Sequence, residues 1–203
     1  MGIQRLTSNP EVLPPGLISA VEAQSGWGGI EKNLDVSRSI TDSLVVDAIL
    51  ASDAERPGRV DLYAVKGPTG NGKTIVLKRA AWMAAHDYDK VVLFLKMGGA
   101  IRNDALEEIY RYTQERLFLF IDKAALYVED IRRVIEFAKS HDLRLTVIVA
   151  ERDAEWNVRC ESLEKYSVRE FLVRYLSERE IRAPSTKIRG TRFTRTAQGT
   201  SGF

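Results

Sequence analysis

Apolar residues in the middle of the chain follow two spacings that alternate along the sequence. Short unbroken apolar runs are typical of strands covered on both faces of a sheet, whereas apolar residues three and four positions apart mark one face of a helix. The unbroken runs predict strands at residues 59–65, 90–96, 116–122 and 143–150. The helical spacing predicts helices at residues 72–86, 104–115 and 127–139.

This alternation predicts the fold class. Buried strands separated by helices form a mostly parallel sheet with helices on both faces, which is a three-layer α/β/α arrangement. Ligands of such sheets bind beyond the carboxyl ends of the strands. Gly67, Asp122 and the pair Glu151–Arg152 each lie at the end of a predicted strand. We therefore expect all of them at one edge of the sheet.

Composition divides the chain into three regions. Residues 1–34 are rich in Pro, Gly and Ser and predict a flexible lead-in. Residues 35–182 hold the periodic pattern and predict one folded domain. Residues 183–203 contain few apolar residues and predict a basic, disordered tail.

Positive charge is concentrated in this tail. The whole sequence has a net charge of +2. The tail contains no acidic residue and has four basic ones, namely Lys187, Arg189, Arg192 and Arg195. The rest of the chain is therefore slightly acidic, which argues against nucleic acid as a partner.

Cysteine usage and hydropathy predict a cytoplasmic protein. The single cysteine cannot form an internal disulfide, and the two histidines have no metal-site spacing. Apolar runs are far shorter than a membrane span, and the N-terminus lacks the apolar core of a secretory signal. A reducing compartment without membrane contact is the expected setting.

One motif predicts specific chemistry. Residues 67–74, GPTGNGKT, match G-x-x-x-x-G-K-[ST] and stand between a predicted strand and a predicted helix. Glycines let successive backbone N–H groups turn toward phosphate oxygens, while the lysine reaches the β- and γ-phosphates and the threonine hydroxyl binds Mg²⁺. A glycine-rich turn with an exposed lysine is the alternative. The predicted nucleotide contacts of this phosphate loop are Gly67, Pro68, Thr69, Gly70, Asn71, Gly72, Lys73 and Thr74.

Asp122 lies at the end of a later apolar strand and is the second candidate metal ligand. A carboxylate there can hold Mg²⁺ directly or through water, and capping of the following helix is the alternative. The next residue, Lys123, stands where many nucleotide hydrolases have a glutamate that activates water. A protonated lysine cannot act as a general base. The sequence therefore predicts Mg²⁺ binding by Thr74 and Asp122 with slow hydrolysis.

Glu151 and Arg152 follow the fourth predicted strand. A surface salt bridge is one interpretation of such a pair. At an edge that faces the γ-phosphate, the arginine could instead sense the phosphate and the carboxylate could orient water. The candidate catalytic residues are therefore Lys73, Asp122, Glu151 and Arg152.

Three segments, GPTGNGKT, FLFIDKAA and TVIVAERDAEWN, resemble in their order and spacing the STAND class of P-loop ATPases, relatives of the AAA+ proteins. The resemblance covers about residues 30–181. It looks closest to bacterial STAND-like NTPases found beside effector domains in defence and signalling proteins. It implies a P-loop NTPase fold, ATP and Mg²⁺ as cofactors, and self-association or an effector or sensor partner.

Two further segments fit this class. Residues 34–50 resemble a linker that places an arginine near the nucleotide, which would be Arg38, although the usual Gly-Arg-Glu form is absent and a capped surface helix also explains the segment. Residues 167–181 resemble a final strand leading into a lid helix, and one continuous helix is the alternative. Because the lid has barely begun before Pro184, we expect an isolated or truncated module.

The favoured function is a nucleotide-dependent switch that binds ATP or ADP with Mg²⁺ and hydrolyses ATP slowly. A small-molecule kinase would use the same loop, but the sequence has no arginine-rich lid and no cluster of substrate-binding arginines. An AAA+-type DNA-linked ATPase would need a basic surface interleaved with aromatic residues, which the acidic core lacks. The lack of an N-K-x-D motif after the loop argues against GTP.

Overall fold

The computed structural model describes residues 3–6, 27–56, 58–166, 168–176 and 180. The strands are β1 (Ile3–Leu6), β2 (Val60–Gly67), β3 (Val91–Leu95), β4 (Leu117–Asp122), β5 (Leu145–Arg152) and β6 (Arg169–Leu172). The α-helices are α1 (Gly28–Glu31), α2 (Ser39–Leu44), α3 (Lys73–His86), α4 (Asn103–Thr113), α5 (Val128–Ser140) and α6 (Asp153–Arg159). A π-helix continues α2, and three 3₁₀ turns complete the elements; these are Val45–Leu50, Asp53–Glu55, Ala124–Leu126 and Glu161–Tyr166. Within these ranges no helix is both long and apolar enough to cross a membrane.

The strands form one sheet in the order β1-β3-β4-β5-β2-β6. Five of them are parallel, and β1 is antiparallel to its neighbour β3. The predicted α/β class with a mostly parallel sheet is therefore confirmed. Because β5 pairs with β2 on one side and with β4 on the other, the ends of β2 and β4 flank the end of β5.

Alternating side chains along the strands fill two apolar layers. In β4, Phe118 and Phe120 pack in the layer that contains α2 and α3, whereas Leu119 and Ile121 pack in the layer that contains α4, α5 and α6. All four side chains are at most 2% exposed. Since both faces of the central strands are covered, these strands need apolar residues at every position, which explains the unbroken runs.

The strand β6 resolves the choice between strand and helix for residues 167–181. It pairs in parallel with β2, with Arg169 opposite Tyr63 and Leu172 opposite Lys66. The strand interpretation is correct, and a continuous helix is wrong for residues 169–172, because β2 offers its open edge to this segment. Residues 177–179 and 181 of the predicted lid helix lie outside the described residues, as does the whole predicted tail.

Part of the predicted lead-in packs against the domain. The ring of Trp27 lies edge-on to Phe94 with centroids 5.1 Å apart. Arg79 in α3 donates through Nη2 to the Ile30 carbonyl at 2.9 Å and through Nε to Oδ2 of Asp35, the first residue of the predicted domain, at 2.8 Å. Residues 27–35 are therefore held by a few large or charged side chains within a glycine-rich stretch. The limits of the predicted regions stay a prediction.

A buried polar cluster closes the amino-terminal ends of the central strands, at the edge opposite Gly67 and Asp122. Arg56 Nη1 and Arg116 Nη1 both donate to Asp61 Oδ2, at 3.0 and 3.3 Å. The same two nitrogens lie 3.2 and 3.3 Å from Thr146 Oγ1. Burial, with the neighbouring Arg56 charge, lowers the pKa of Arg116 from its ordinary value. The charged side chains of this cluster hold β2, β4 and β5 together at their amino-terminal ends.

Candidate functional site

The phosphate loop connects the end of β2 to the start of α3. Its backbone bends at Gly70 and Gly72, which both have φ of +83°, a left-handed conformation that favours glycine. Gly72 directly precedes α3, and its carbonyl accepts the Val76 N–H at 3.0 Å. The loop therefore ends at the N-terminus of a 14-residue helix, where unpaired N–H groups and the helix dipole favour an anion.

Lys73 folds back over this loop. Its Nζ donates to the carbonyl oxygens of Gly67 at 2.8 Å and of Pro68 at 2.6 Å. Burial lowers the pKa of the Lys73 amine, and among nearby charges Asp153 opposes this shift most strongly. Two neutral carbonyl oxygens thus hold the Lys73 ammonium beside the loop. A phosphate oxygen would replace them, because a charged acceptor forms a stronger hydrogen bond.

Thr74 and Asp122 meet beside the loop. The Thr74 hydroxyl donates to Asp122 Oδ2 at 3.0 Å, and Asp122 Oδ1 accepts the Lys123 N–H at 3.1 Å. A hydroxyl and a carboxylate oxygen are ligands that suit Mg²⁺, which usually takes one or two protein groups and completes its shell with phosphate and water. The described residues contain no cluster of three His, Cys, Asp or Glu side chains that could hold a metal by themselves. This pair fits a metal that arrives with a nucleotide.

Lys123 begins the turn after β4. Its backbone adopts φ of +56°, and its side chain is exposed. Lys123 therefore follows the candidate metal ligand Asp122 directly and supplies no second carboxylate at this position.

Glu151 is 6% exposed and binds two backbone groups. Its Oε2 accepts the Ala125 N–H at 2.7 Å, and its Oε1 accepts the Arg152 N–H at 2.8 Å. The side chain therefore joins the end of β5 to the turn after β4. A water-activating role for Glu151 stays a prediction.

Arg152 lies at the end of β5, opposite Gly67 in the parallel register. Its exposed guanidinium pairs with Glu155 Oε1 at 3.4 Å. A cleft of about 330 Å³ opens here, and its lining residues are Lys123, Ala125, Leu126, Glu151, Arg152, Glu155 and Arg159. An exposed ion pair of this kind is weak, and Arg152 could leave Glu155 to bind a phosphate. The position of Arg152 is therefore compatible with a sensor role, which stays a prediction.

Arg38 approaches the loop from outside. Its guanidinium is 7% exposed, and Nη1 donates to the Asn71 carbonyl at 2.6 Å. The Asn71 side chain is also buried and donates through Nδ2 to the Val173 carbonyl. Sequence reasoning predicts that both residues contact the nucleotide; in the structure Arg38 binds the loop backbone and the Asn71 side chain binds the chain after β6.

Asp153 is a charged residue of this site that no sequence motif indicates. It is the first residue of α6 and is half-buried. Among the charges near Lys73 it has the largest effect on the pKa of that amine. Its position directly after Arg152, past the end of a strand that borders β2, is the signal that could have identified it.

Cys160 lies in the apolar layer beneath this edge. Burial raises the pKa of its thiol to about 11, and the charge of Glu151 adds to the rise. The thiol therefore stays protonated near neutral pH, and it is a packing group rather than a nucleophile.

A family model described as Novel STAND NTPase 5 matches residues 23–164, which is more than half of the chain. The chain belongs to this family. The STAND resemblance is thereby confirmed, and the domain is a nucleotide-binding NTPase domain. No curated protein matches the chain.

Several solved structures share the fold. The closed state of Hsp104 with ATPγS and FITC-casein has a TM-score of 0.53 at 18% identity and covers 74% of this chain and 30% of that chain. The extended S. cerevisiae Hsp104–casein complex has a TM-score of 0.50 at 15% identity, covering 75% and 30%. The E. coli MS115-1 HORMA–CdnC–Trip13 complex has a TM-score of 0.50 at 16% identity, covering 70% and 65%. These AAA+ neighbours establish the fold, and the chain spans only 30% of the Hsp104 length.

Proposed function

We propose that the chain binds ATP with Mg²⁺ through the phosphate loop and uses the bound nucleotide as a switch, with slow hydrolysis. One observation carries the proposal: the hydrogen bond between Thr74 and Asp122 beside a complete phosphate loop. It brings a hydroxyl and a carboxylate from different strand–helix units to one place, as a metal bound to a nucleotide requires.

Different groups of the loop would bind different parts of the nucleotide. Backbone N–H groups between Gly67 and Lys73 would surround the β-phosphate. The Lys73 ammonium would leave the carbonyls of Gly67 and Pro68 and bind the β- and γ-phosphates. Thr74 and Asp122 would hold Mg²⁺, which supplies positive charge to the phosphate oxygens when it is bound.

Slow hydrolysis is supported by the groups around the expected γ-phosphate position. Lys123 replaces the acid that would follow Asp122. Glu151 is the alternative base that the sequence predicts, but both its oxygens already accept backbone N–H groups. A general base contributes about 10²- to 10⁴-fold to a rate, so its loss leaves an NTPase that mainly binds.

Nucleotide titration of the full chain tests the proposal. Mg·ATP is expected to bind with a dissociation constant of micromolar order. Lys73→Ala is expected to weaken binding at least about tenfold, because it removes a charge-assisted bond to phosphate. Calorimetry gives the affinity, and single-turnover assays with labelled ATP give the hydrolysis rate.

Lys139→Ala is the matched control, since Lys139 is an exposed lysine on α5 whose ammonium lies over the ring of Tyr166, away from the phosphate loop. An affinity equal to wild type in Lys73→Ala would overturn the binding site. Turnover at or above about 1 s⁻¹, within the range of ordinary enzymes, would contradict the slow-hydrolysis part alone.

Partner binding is the remaining part of the proposal. The solved Hsp104 structure contains casein, and the Trip13 structure contains HORMA and CdnC. For this chain we propose self-association or an effector or sensor partner that responds to the bound nucleotide. Light scattering of the purified chain with Mg·ATP, with Mg·ADP and without nucleotide would detect self-association.

A further inference from the structure

Arg38 joins the phosphate loop to the chain that follows β6. One guanidinium nitrogen, Nη1, donates to the Asn71 carbonyl at 2.6 Å, and the other, Nη2, donates to the Arg174 carbonyl at 2.5 Å. Its Nε lies 3.6 Å from the carboxylate of Glu180. A single buried side chain before α2 therefore binds the backbone of two segments that are distant in sequence.

Asn71 makes a second connection between the same two segments. Its Nδ2 donates to the Val173 carbonyl, and the Val173 N–H donates to the Lys66 carbonyl at 2.7 Å. A methyl group at Gly67 would overlap the Val173 carbonyl oxygen. The loop and the post-β6 segment, residues 173–176, are thus in direct contact with no space between them.

The connection is buried, which makes it costly to break. Asn71 is 5% exposed, and its Oδ1 has no hydrogen-bond partner among the described residues. Breaking either carbonyl contact of Arg38 would leave a buried N–H donor of its guanidinium unsatisfied. The loop backbone at Asn71 and the post-β6 segment are therefore expected to move together.

Phosphate binding requires the loop to change its contacts. Lys73 now donates to the carbonyls of Gly67 and Pro68 and must release them to reach a phosphate. Gly67 contacts Val173, and Asn71 lies two residues before the lysine. The carbonyl of Gly67 that Lys73 releases thus belongs to the residue that contacts Val173, so a shift of the loop backbone there would act on the connections to the post-β6 segment.

We propose that Arg38 and Asn71 are positioning residues that couple occupancy of the phosphate loop to the post-β6 segment. The proposal rests on the proposed nucleotide binding and adds its regulation. Coupling between two sites is reciprocal, so a protein that displaces the post-β6 segment would change nucleotide affinity by the same factor. The switch output then leaves the domain along the chain after β6.

The test combines nucleotide affinity with hydrogen exchange of the full chain. In wild type, Mg·ATP is expected to change exchange of the amides at residues 174–176. Arg38→Ala is expected to weaken Mg·ATP affinity about 5- to 20-fold and to abolish that change, in the range of typical coupling between sites. Arg59→Ala, an exposed arginine at the opposite edge paired with Asp142, is the control and should match wild type.

Arg38→Lys separates positioning from a direct phosphate contact, and it keeps the test usable if Arg38→Ala fails to fold. Lysine retains the charge but lacks the planar fork that binds two carbonyls. Positioning predicts that lysine does not restore the exchange change. Restored affinity and restored exchange in Arg38→Lys would overturn the proposal in favour of charge alone.

Two outcomes distinguish a failure of the proposed coupling from a failure of the proposed nucleotide binding. If wild type binds Mg·ATP but exchange at residues 174–176 is unchanged and Arg38→Ala binds as tightly, the coupling is wrong and nucleotide binding stands. If wild type binds neither Mg·ATP nor Mg·ADP, the proposed function is wrong, and the coupling is overturned with it.

Discussion

At the scale of single residues, Glu151 shows how a candidate catalytic group can also hold two parts of the fold together. Its two carboxylate oxygens accept N–H groups from Ala125 and Arg152. An acidic residue at the end of a strand near a γ-phosphate position is typical of a base, but the sequence does not reveal which donors surround it. The backbone bonds give it a structural function that is independent of catalysis.

Glu151→Gln tests this structural function. The amide can accept only one of the two N–H groups and turns its own NH₂ toward the other. We expect a loss of about 1–3 kcal/mol of unfolding free energy, because a buried donor is left unsatisfied. Denaturant unfolding measures the loss, with the exposed Glu161→Gln as control. Unchanged stability with a hydrolysis rate reduced a hundredfold would show that Glu151 is a base instead.

At the scale of elements, the sequence was most informative where one local rule decides the structure. The run FLFI before Asp122 predicts a strand covered on both faces, and GPTGNGKT between a strand and a helix predicts a phosphate loop. Residues 167–181 were ambiguous because Ser167 and Glu170 fit the capping box of a helix, whereas the structure pairs Arg169–Leu172 with the edge of β2.

Other contacts had no local signal at all. Arg38 reaches Arg174 across 136 positions, and nothing in the spacing of either segment indicates this pair. The strand order was likewise not determined by the alternation of elements, since several orders are compatible with the same right-handed crossovers. The glycine-rich sequence around Trp27 does not indicate that this residue packs against Phe94.

The polar cluster at the amino-terminal sheet edge belongs to this scale, because it ties β2, β4 and β5. Asp61→Asn removes the carboxylate charge shared by Arg56 and Arg116. We expect a loss of about 3–5 kcal/mol, because Arg56 and Arg116 lose the buried carboxylate that they share and keep only the half-exposed Asp53 as a charged partner. For a domain of this size the loss corresponds to a fall in Tm of roughly 6–20 °C.

Asp142→Asn is the matched control for the cluster. Asp142 forms an exposed pair with Arg59, and such pairs contribute at most about 1 kcal/mol. Thermal unfolding followed by circular dichroism measures both variants. Equal Tm values in the two variants would contradict a structural role of the cluster.

At the scale of the whole molecule, the segment before α2 belongs to the folded unit. Trp27 packs on Phe94 and lies near Trp82 and the Lys78 ammonium. Trp27→Ala is expected to destabilise the whole domain by about 2–4 kcal/mol, since a large aromatic side chain is removed from a packed site. Leu126→Ala, at an exposed position, should cost far less.

Chemical denaturation followed by two signals distinguishes global from local loss for Trp27→Ala. A single cooperative transition shifted to lower denaturant indicates that residues 27–35 unfold with the sheet. An unchanged main transition would mean that this segment is only attached to the surface.

The position of β5 between β2 and β4 has a consequence for biosynthesis. Thr74 follows β2 and Asp122 ends β4, but the sheet brings them within 3.0 Å only with β5 inserted between the two strands. β5 is the last of the three to leave the ribosome. A nascent chain that already contains the loop and Asp122 therefore has both halves of the site at the wrong separation. We therefore expect the chain to bind nucleotide only after residue 152 has emerged and β5 has paired, so that bound nucleotide would stabilise the completed central sheet.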